Sequence, residues 1–148
     1  MKSLYQPETY QELISRLNLL HTESPNQWGK MDAAQMLAHC SCPLKLALGD
    51  TQQQRSFIGR LLGGFVKKTL ISDKPFDHNM PTDKGFIVSD ERDFEKEKYQ
   101  LMDLLRRFHQ DQGQHAPSVH PFFGKMNVKE WDVLQYKHLD HHLRQFGC

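Results

Sequence analysis

An all-α domain is predicted by three features of this sequence. Apolar residues recur at i, i+3, i+4 and i+7 in most segments, polar capping pairs precede two of those segments, and strand signals are scarce. Only Gly85-Phe86-Ile87-Val88 reads as extended, and it is very short. The expected architecture is a four-helix bundle with long crossover loops and a short additional helix, with residues 1–148 forming one domain.

The elements follow in order. Tyr10, Leu13, Ile14, Leu17 and Leu20 line one face of a first helix, with Ser3 or Thr9 near its start. A turn through Ser24, Pro25, Asn26 and Gly29 leads to Asp32 and Gln35, which form a capping box. Ala33, Met36, Leu37, Cys40, Leu44 and Ala47 share a face of the second helix, and Gly49 stops it. Phe57, Ile58, Leu61, Leu62, Phe65 and Val66 give a further helical stretch, weakened by Gly59, Gly63 and Gly64. After an irregular passage over 72–86, Ser89 or Asp90 opens a helix with Phe94, Leu101, Leu105 and Phe108 on one side. A second loop, 110–125, precedes Asn127 and Glu130. They cap a last helix that runs to about Phe146, ahead of Gly147.

Composition narrows the function classes. Nineteen Lys and Arg against 18 Asp and Glu leave a net charge of +1, which argues against a nucleic-acid binder or a polybasic membrane anchor. Three cysteines cannot pair completely, and Cys40-Ser41-Cys42 has no second pair with which to build a four-cysteine zinc site. The opening MKSLYQPETYQEL lacks the apolar run of a signal peptide, and the stretch 57–71 is broken by Arg60, Lys67 and Lys68. A reduced, cytoplasmic setting is expected. The compositional outlier is nine histidines, three of them in the last eleven residues.

On a helical wheel stepping about 100° per residue from Trp131, His138 falls near 340° and His142 near 20°. Both point with Leu134, Leu139 and Phe146 toward the core. Lys129, Lys137, Asp140 and Arg144 cluster on the opposite side, and His141 sits at the margin. Two imidazoles at i, i+4 can converge on one ion. Buried without a partner they would carry a desolvation penalty, and both could not readily be protonated. His39 is the best third ligand, on the second helix, although the wheel places it about 110° from the centre of that helix's apolar face. Pro43 cannot donate to the carbonyl of His39, so a bend is expected beside it.

The segment MLAHC around His39, HPFFGKM before the last helix and the terminal KHLDHHLRQFG carry a family likeness. The chain resembles the DinB/YfiT-like superfamily of metalloenzymes, in its uncharacterised branch with a C-terminal motif of this type. The resemblance spans most of the chain. It implies a four-helix bundle with a long crossover and a metal held by one histidine of the second helix and an HxxxH pair of the last. By position these are His39, His138 and His142. It also implies that His141 is not a ligand and that Gln145 stands behind the second histidine of the pair.

Three neutral imidazoles leave a divalent ion at least one open position, the arrangement of a catalytic site. Imidazole ligands do not choose among Zn, Ni, Fe and Mn. The expected function is a divalent-metal-dependent enzyme acting on a small-molecule substrate. The resemblance adds thiol-dependent transfer, with a low-molecular-weight thiol as cofactor, or hydrolysis. No general base is evident; Asp77, His78, His115 and His120 lie in the two loops, and Tyr136 is expected to pack. Cys40 lies on the apolar face and reads as a core residue rather than a nucleophile. No nucleic-acid or membrane partner is expected, and a homodimer is compatible with bundles of this kind. The alternative is a non-catalytic helical binding module that meets a protein or an anionic membrane through its basic 55–74 segment, where Arg55, Arg60, Lys67, Lys68 and Lys74 outnumber Asp73.

Overall fold

Proline has no amide hydrogen to leave unpaired at a helix start, and Pro7 opens the first helix, α1 (Pro7–Leu19), in the computed structural model, which describes residues 2–148. Gln6 precedes it without a side-chain cap, and Thr9 is buried in the first turn, so neither Ser3 nor Thr9 caps this helix. In α2 (Ala33–Ala47) the capping box forms as read: Asp32 Oδ1 accepts from Gln35 N at 2.8 Å, and Gln35 Oε1 accepts from Asp32 N at 3.2 Å. The chain leaves α2 through Gly49 at φ +76°, where a side chain would be strained.

Helix α3 (Phe57–Leu70) is capped by Ser56, whose hydroxyl accepts from Gly59 N. Its 14 residues exceed the 13 of α1, so the additional helix is not short. Residues Lys84–Phe86 form a single 3-10 turn closed by the Asp83 carboxylate, in place of the extended segment expected at 85–88. Helix α4 (Phe94–Asp111) starts later than the sequence suggested. Asp93 caps it by accepting from Lys96 N at 2.9 Å, while Asp90 turns aside to pair with Arg92. The strand pairing lies elsewhere, in an antiparallel ribbon of β1 (Val119–His120) and β2 (Gly124–Lys125), with Val119 opposite Lys125. A second capping box, Asn127 with Glu130, opens α5 (Val128–Gln145).

The fold is mostly helical. Helix α2 packs against α4 and α5, and α1 closes the other side against the same two helices. Their shared core contains Leu13, Leu17, Leu37, Leu44, Leu101, Leu105, Phe108, Leu139 and Leu143. Trp131 is fully buried at the start of α5, and its indole N–H donates to Pro117 O at 2.8 Å, which ties the second loop to the core. Asp132 is buried beside it and accepts from Leu4 N at 2.7 Å, pinning the N-terminal segment. Cys40 is buried, and burial pushes its thiol well above the usual range. Helix α3 stands apart and meets the rest mainly through the ribbon. Among the described residues, no helix is long and apolar enough to cross a membrane.

Candidate metal centre

The wheel separates the α5 histidines correctly and misplaces one lysine. His142 is buried. His138 keeps some exposure as a residue, yet its Nδ1 is sealed from solvent. Lys137, expected in solvent on the far side, is buried instead. Its ammonium donates to Leu70 O at 2.5 Å and Ser72 O at 2.7 Å and lies over the Phe76 ring. The four-carbon stem lets the charge reach backbone carbonyls that a wheel does not contain. His39 is more central than its wheel angle implied. Helix α2 is enclosed on nearly all sides, and His39 is 4% exposed.

The three rings form a near-regular triangle. Their centroids lie 4.9 Å (His39–His138), 4.7 Å (His39–His142) and 4.7 Å (His138–His142) apart. One nitrogen from each falls within 4.8 Å of the others, and no carboxylate or thiolate joins them. Among the described residues this is the one grouping of three or more His, Cys, Asp or Glu side chains close enough to share an ion.

The ring orientations are fixed from behind. His39 Nδ1 donates to Phe86 O at 2.8 Å, a carbonyl supplied by the 3-10 turn on the long crossover. This tautomer leaves Nε2 as a bare lone pair facing inward. His142 Nδ1 pairs with Gln145 Oε1 at 2.7 Å. The same amide donates through Nε2 to Trp28 O at 2.6 Å; since a carbonyl only accepts, the amide oxygen must face the imidazole. His142 Nε2 is therefore also unprotonated. His39 Nε2 lies 3.0 Å from His138 Nε2, a distance met by a hydrogen bond from a neutral His138 Nε2–H or by an ion that replaces that proton. His138 Nδ1 has no partner.

Electrostatics agrees with this tautomeric reading. Burial lowers the basicity of all three rings. His142 is held down to about 3, and His138 falls well below the ordinary imidazole value, with its histidine neighbours adding to the burial penalty. His39 is lowered by burial and only partly restored by the Phe86 carbonyl. Neutral nitrogens with inward lone pairs are the donor set a divalent ion requires.

The remaining candidates divide. His141 is not part of the triangle; it lies edge-on to His142 at 5.1 Å and borders an aromatic cluster, 5.5 Å from Trp28 and 5.8 Å from Phe76. His78 joins it there, stacked on Trp28 at 3.8 Å. A cavity of about 450 Å³ opens at this cluster, lined by Trp28, Phe76, His78, Lys137, His141 and Arg144. Asp77 is exposed and outside that lining, while His115 is exposed, pairs with Asp111, and lines a separate hollow that also holds the Arg107–Asp50 ion pair. His120 is structural: buried, its Nδ1 accepts from Phe122 N and Phe123 N, and burial lowers it to about 4. Tyr136 is half-buried against the core. Sequence reasoning did not find Phe86 O, Trp28 or Phe76. The first acts through its backbone, which side-chain identity does not encode, and all three depend on how the crossovers fold back.

No curated protein and no solved structure matches the chain. One family does: that described as "Protein of unknown function (DUF1569)" matches residues 3–147, nearly the whole chain, and the protein belongs to that family.

Proposed function

We propose that the protein is a DinB-like metalloenzyme in which α1, α2, α4 and α5 form a four-helix bundle. In this reading His39, His138 and His142 hold one divalent transition metal between α2 and α5. The carrying observation is the convergence of three neutral imidazoles, two of them turned by Phe86 O and Gln145 so that their Nε2 lone pairs face inward. Ligand nitrogens on a tetrahedral ion with bonds of about 2.05 Å would stand about 3.3 Å apart, close to the 3.0 Å between His39 and His138.

An ion held by three imidazoles, with a coordination position left open, would supply Lewis acidity and lower the pKa of a water or thiol at neutral pH. The chain's own contribution is orientation and exclusion. Phe86 O and Gln145 fix the ring tautomers, and the packed core denies solvent to His138 Nδ1. The cavity beside His141 has the size for a small molecule; Trp28, Phe76 and His78 offer stacking surfaces, and the charged lining is mixed, with Lys137 and Arg144 beside Asp73 and Asp140. In this reading transfer from an activated thiol stands ahead of hydrolysis, for which Asp73, His78 and Asp140 in the cavity lining are the groups able to accept a proton.

Metal analysis of protein purified without an affinity tag tests the proposal. About one transition-metal ion per chain is expected, with loss of that ion in His138→Ala. Metal retained at the wild-type level in the variant would contradict the site. Dependence of turnover on added thiol, across a panel of electrophiles, separates transfer from hydrolysis.

A further inference from the structure

Helix α3 is built the wrong way round for a helix that serves a core. Its small residues face the molecule: a Cβ added at Gly63 would fall 1.9 Å from Phe122 O, and one at Gly59 would fall 2.6 Å from the same oxygen. Val66 and Leu70 turn inward beside them, but five large residues face outward. Phe57 is 75% exposed, Ile58 59%, Leu61 71%, Leu62 54% and Phe65 76%. With about 100° per residue these five occupy one arc of roughly 140° on the helix. Together they expose on the order of 600 Å² of apolar surface, the upper end of what a monomer leaves in a single patch.

The charges around this arc are predominantly positive, Asp73 beyond the end of the helix being the one acid in residues 55–74. Arg55, Arg60, Lys68 and Lys74 are exposed, and among the described residues none of them is in an ion pair. Residues 55–72 contain no Asp or Glu. Lys67, the one paired cation of the helix, is turned toward the body, where it meets Glu130 at 2.8 Å. By the same angular step Lys68 lies within the apolar arc and Arg60 about 60° beyond its edge, and their long stems let both reach a charged layer around the embedded face.

We propose that α3 is an interfacial helix that seats the protein on an anionic lipid surface, burying Phe57, Ile58, Leu61, Leu62 and Phe65 among acyl chains while Arg55, Arg60, Lys68 and Lys74 meet the headgroups. An apolar face on a helix whose charged residues are all cations is the pattern of helices that lie in the membrane plane. Charge decides against a second copy as the occupant. Two-fold pairing of α3 would bring two sets of cations together with no acid on either helix to neutralise them, whereas anionic headgroups supply that charge. The inference stands independently of the metal centre.

Vesicle co-sedimentation tests it with the full chain. Binding is expected to phosphatidylcholine vesicles containing phosphatidylglycerol at low salt, and to be at least tenfold weaker on phosphatidylcholine alone. Leu61→Glu with Phe65→Glu should reduce binding to the mixed vesicles at least tenfold, and Arg60→Glu with Lys68→Glu at least fivefold, with unchanged circular dichroism. In Phe65→Trp, the added emission should shift to the blue on mixed vesicles. Absence of sedimentation with the mixed vesicles at low salt overturns the proposal. So does a stable dimer by sedimentation equilibrium that Leu61→Glu dissociates, with no vesicle binding, because it assigns the face to a second copy.

Discussion

Helices α3 and α5 make opposite use of similar apolar periodicity. On α5, Trp131, Leu139 and Leu143 are sealed in the core, and the histidines one turn apart inherit that enclosure. On α3, Gly59 and Gly63 face the protein with Val66 and Leu70, while Phe57, Ile58, Leu61, Leu62 and Phe65 face out. A helical repeat states that one face is apolar; what that face meets is decided by the partner surface. For α5 the partner is α2, which closes around His39. For α3 it is the backbone of Phe122 and Phe123, which approaches so closely that only glycine fits.

Substitutions at equivalent places should separate the two helices. The largest effect is expected from Trp131→Ala, which empties a fully buried site and leaves Pro117 O without its donor; a loss of about 3–5 kcal/mol should appear in denaturant unfolding. Leu61→Ala on α3, by contrast, should stay within about 0.5 kcal/mol of wild type, as for an exposed residue. A comparable loss at both positions would show that α3 is covered in the free protein.

At the metal centre, Gln145→Leu removes the acceptor behind His142 and the tie to Trp28, and metal affinity should fall about 10–100-fold in a competition titration. Within α3, Gly63→Ala and Gly64→Ala should have opposite signs. The first forces a Cβ into Phe122 O and should cost about 1–3 kcal/mol. The second meets nothing within 4 Å and should gain about 0.5–1 kcal/mol from helix propensity. Thermal melts of the pair read out which side of the helix is docked.

Acid sensitivity gives a graded test of the packing beneath α3. His120 supports the Phe122–Phe123 backbone through two accepted N–H bonds and stays neutral in the fold down to about pH 4. The unfolded chain takes up that proton near pH 6.5, so the contribution is complete above 6.5 and drains as the pH falls toward 4. At its steepest the loss is about 1.4 kcal/mol per pH unit. Urea unfolding between pH 7 and 4.5 should show at least this slope, because the buried His39, His138 and His142 add to it in the same direction, and His120→Asn should lower it by the share of His120.

What the sequence revealed followed from how local each signal is. Both capping boxes, Asp32 with Gln35 and Asn127 with Glu130, span three residues and formed as read. The His138–His142 spacing is equally local, and its inward direction followed from the wheel. His39 was named from its place on the second helix but set off the apolar centre, because α2 is buried on so many sides that its apolar face does not mark its centre. The Phe86 carbonyl, the Gln145–Trp28 link and the burial of Lys137 depend on crossovers folding back over 47 to 117 residues of chain, beyond any periodic pattern. The ribbon was missed because two-residue strands carry no alternation, and the outward turn of α3 because a repeat does not name its partner.

The central claim, one ion shared by three imidazoles, is tested most directly by anomalous diffraction from crystals of the metal-replete protein, recorded at the absorption edge of the bound metal. The expected result is a single peak about 2.0–2.2 Å from one nitrogen each of His39, His138 and His142. A map with no peak among these rings, or a peak held by other side chains, would contradict it.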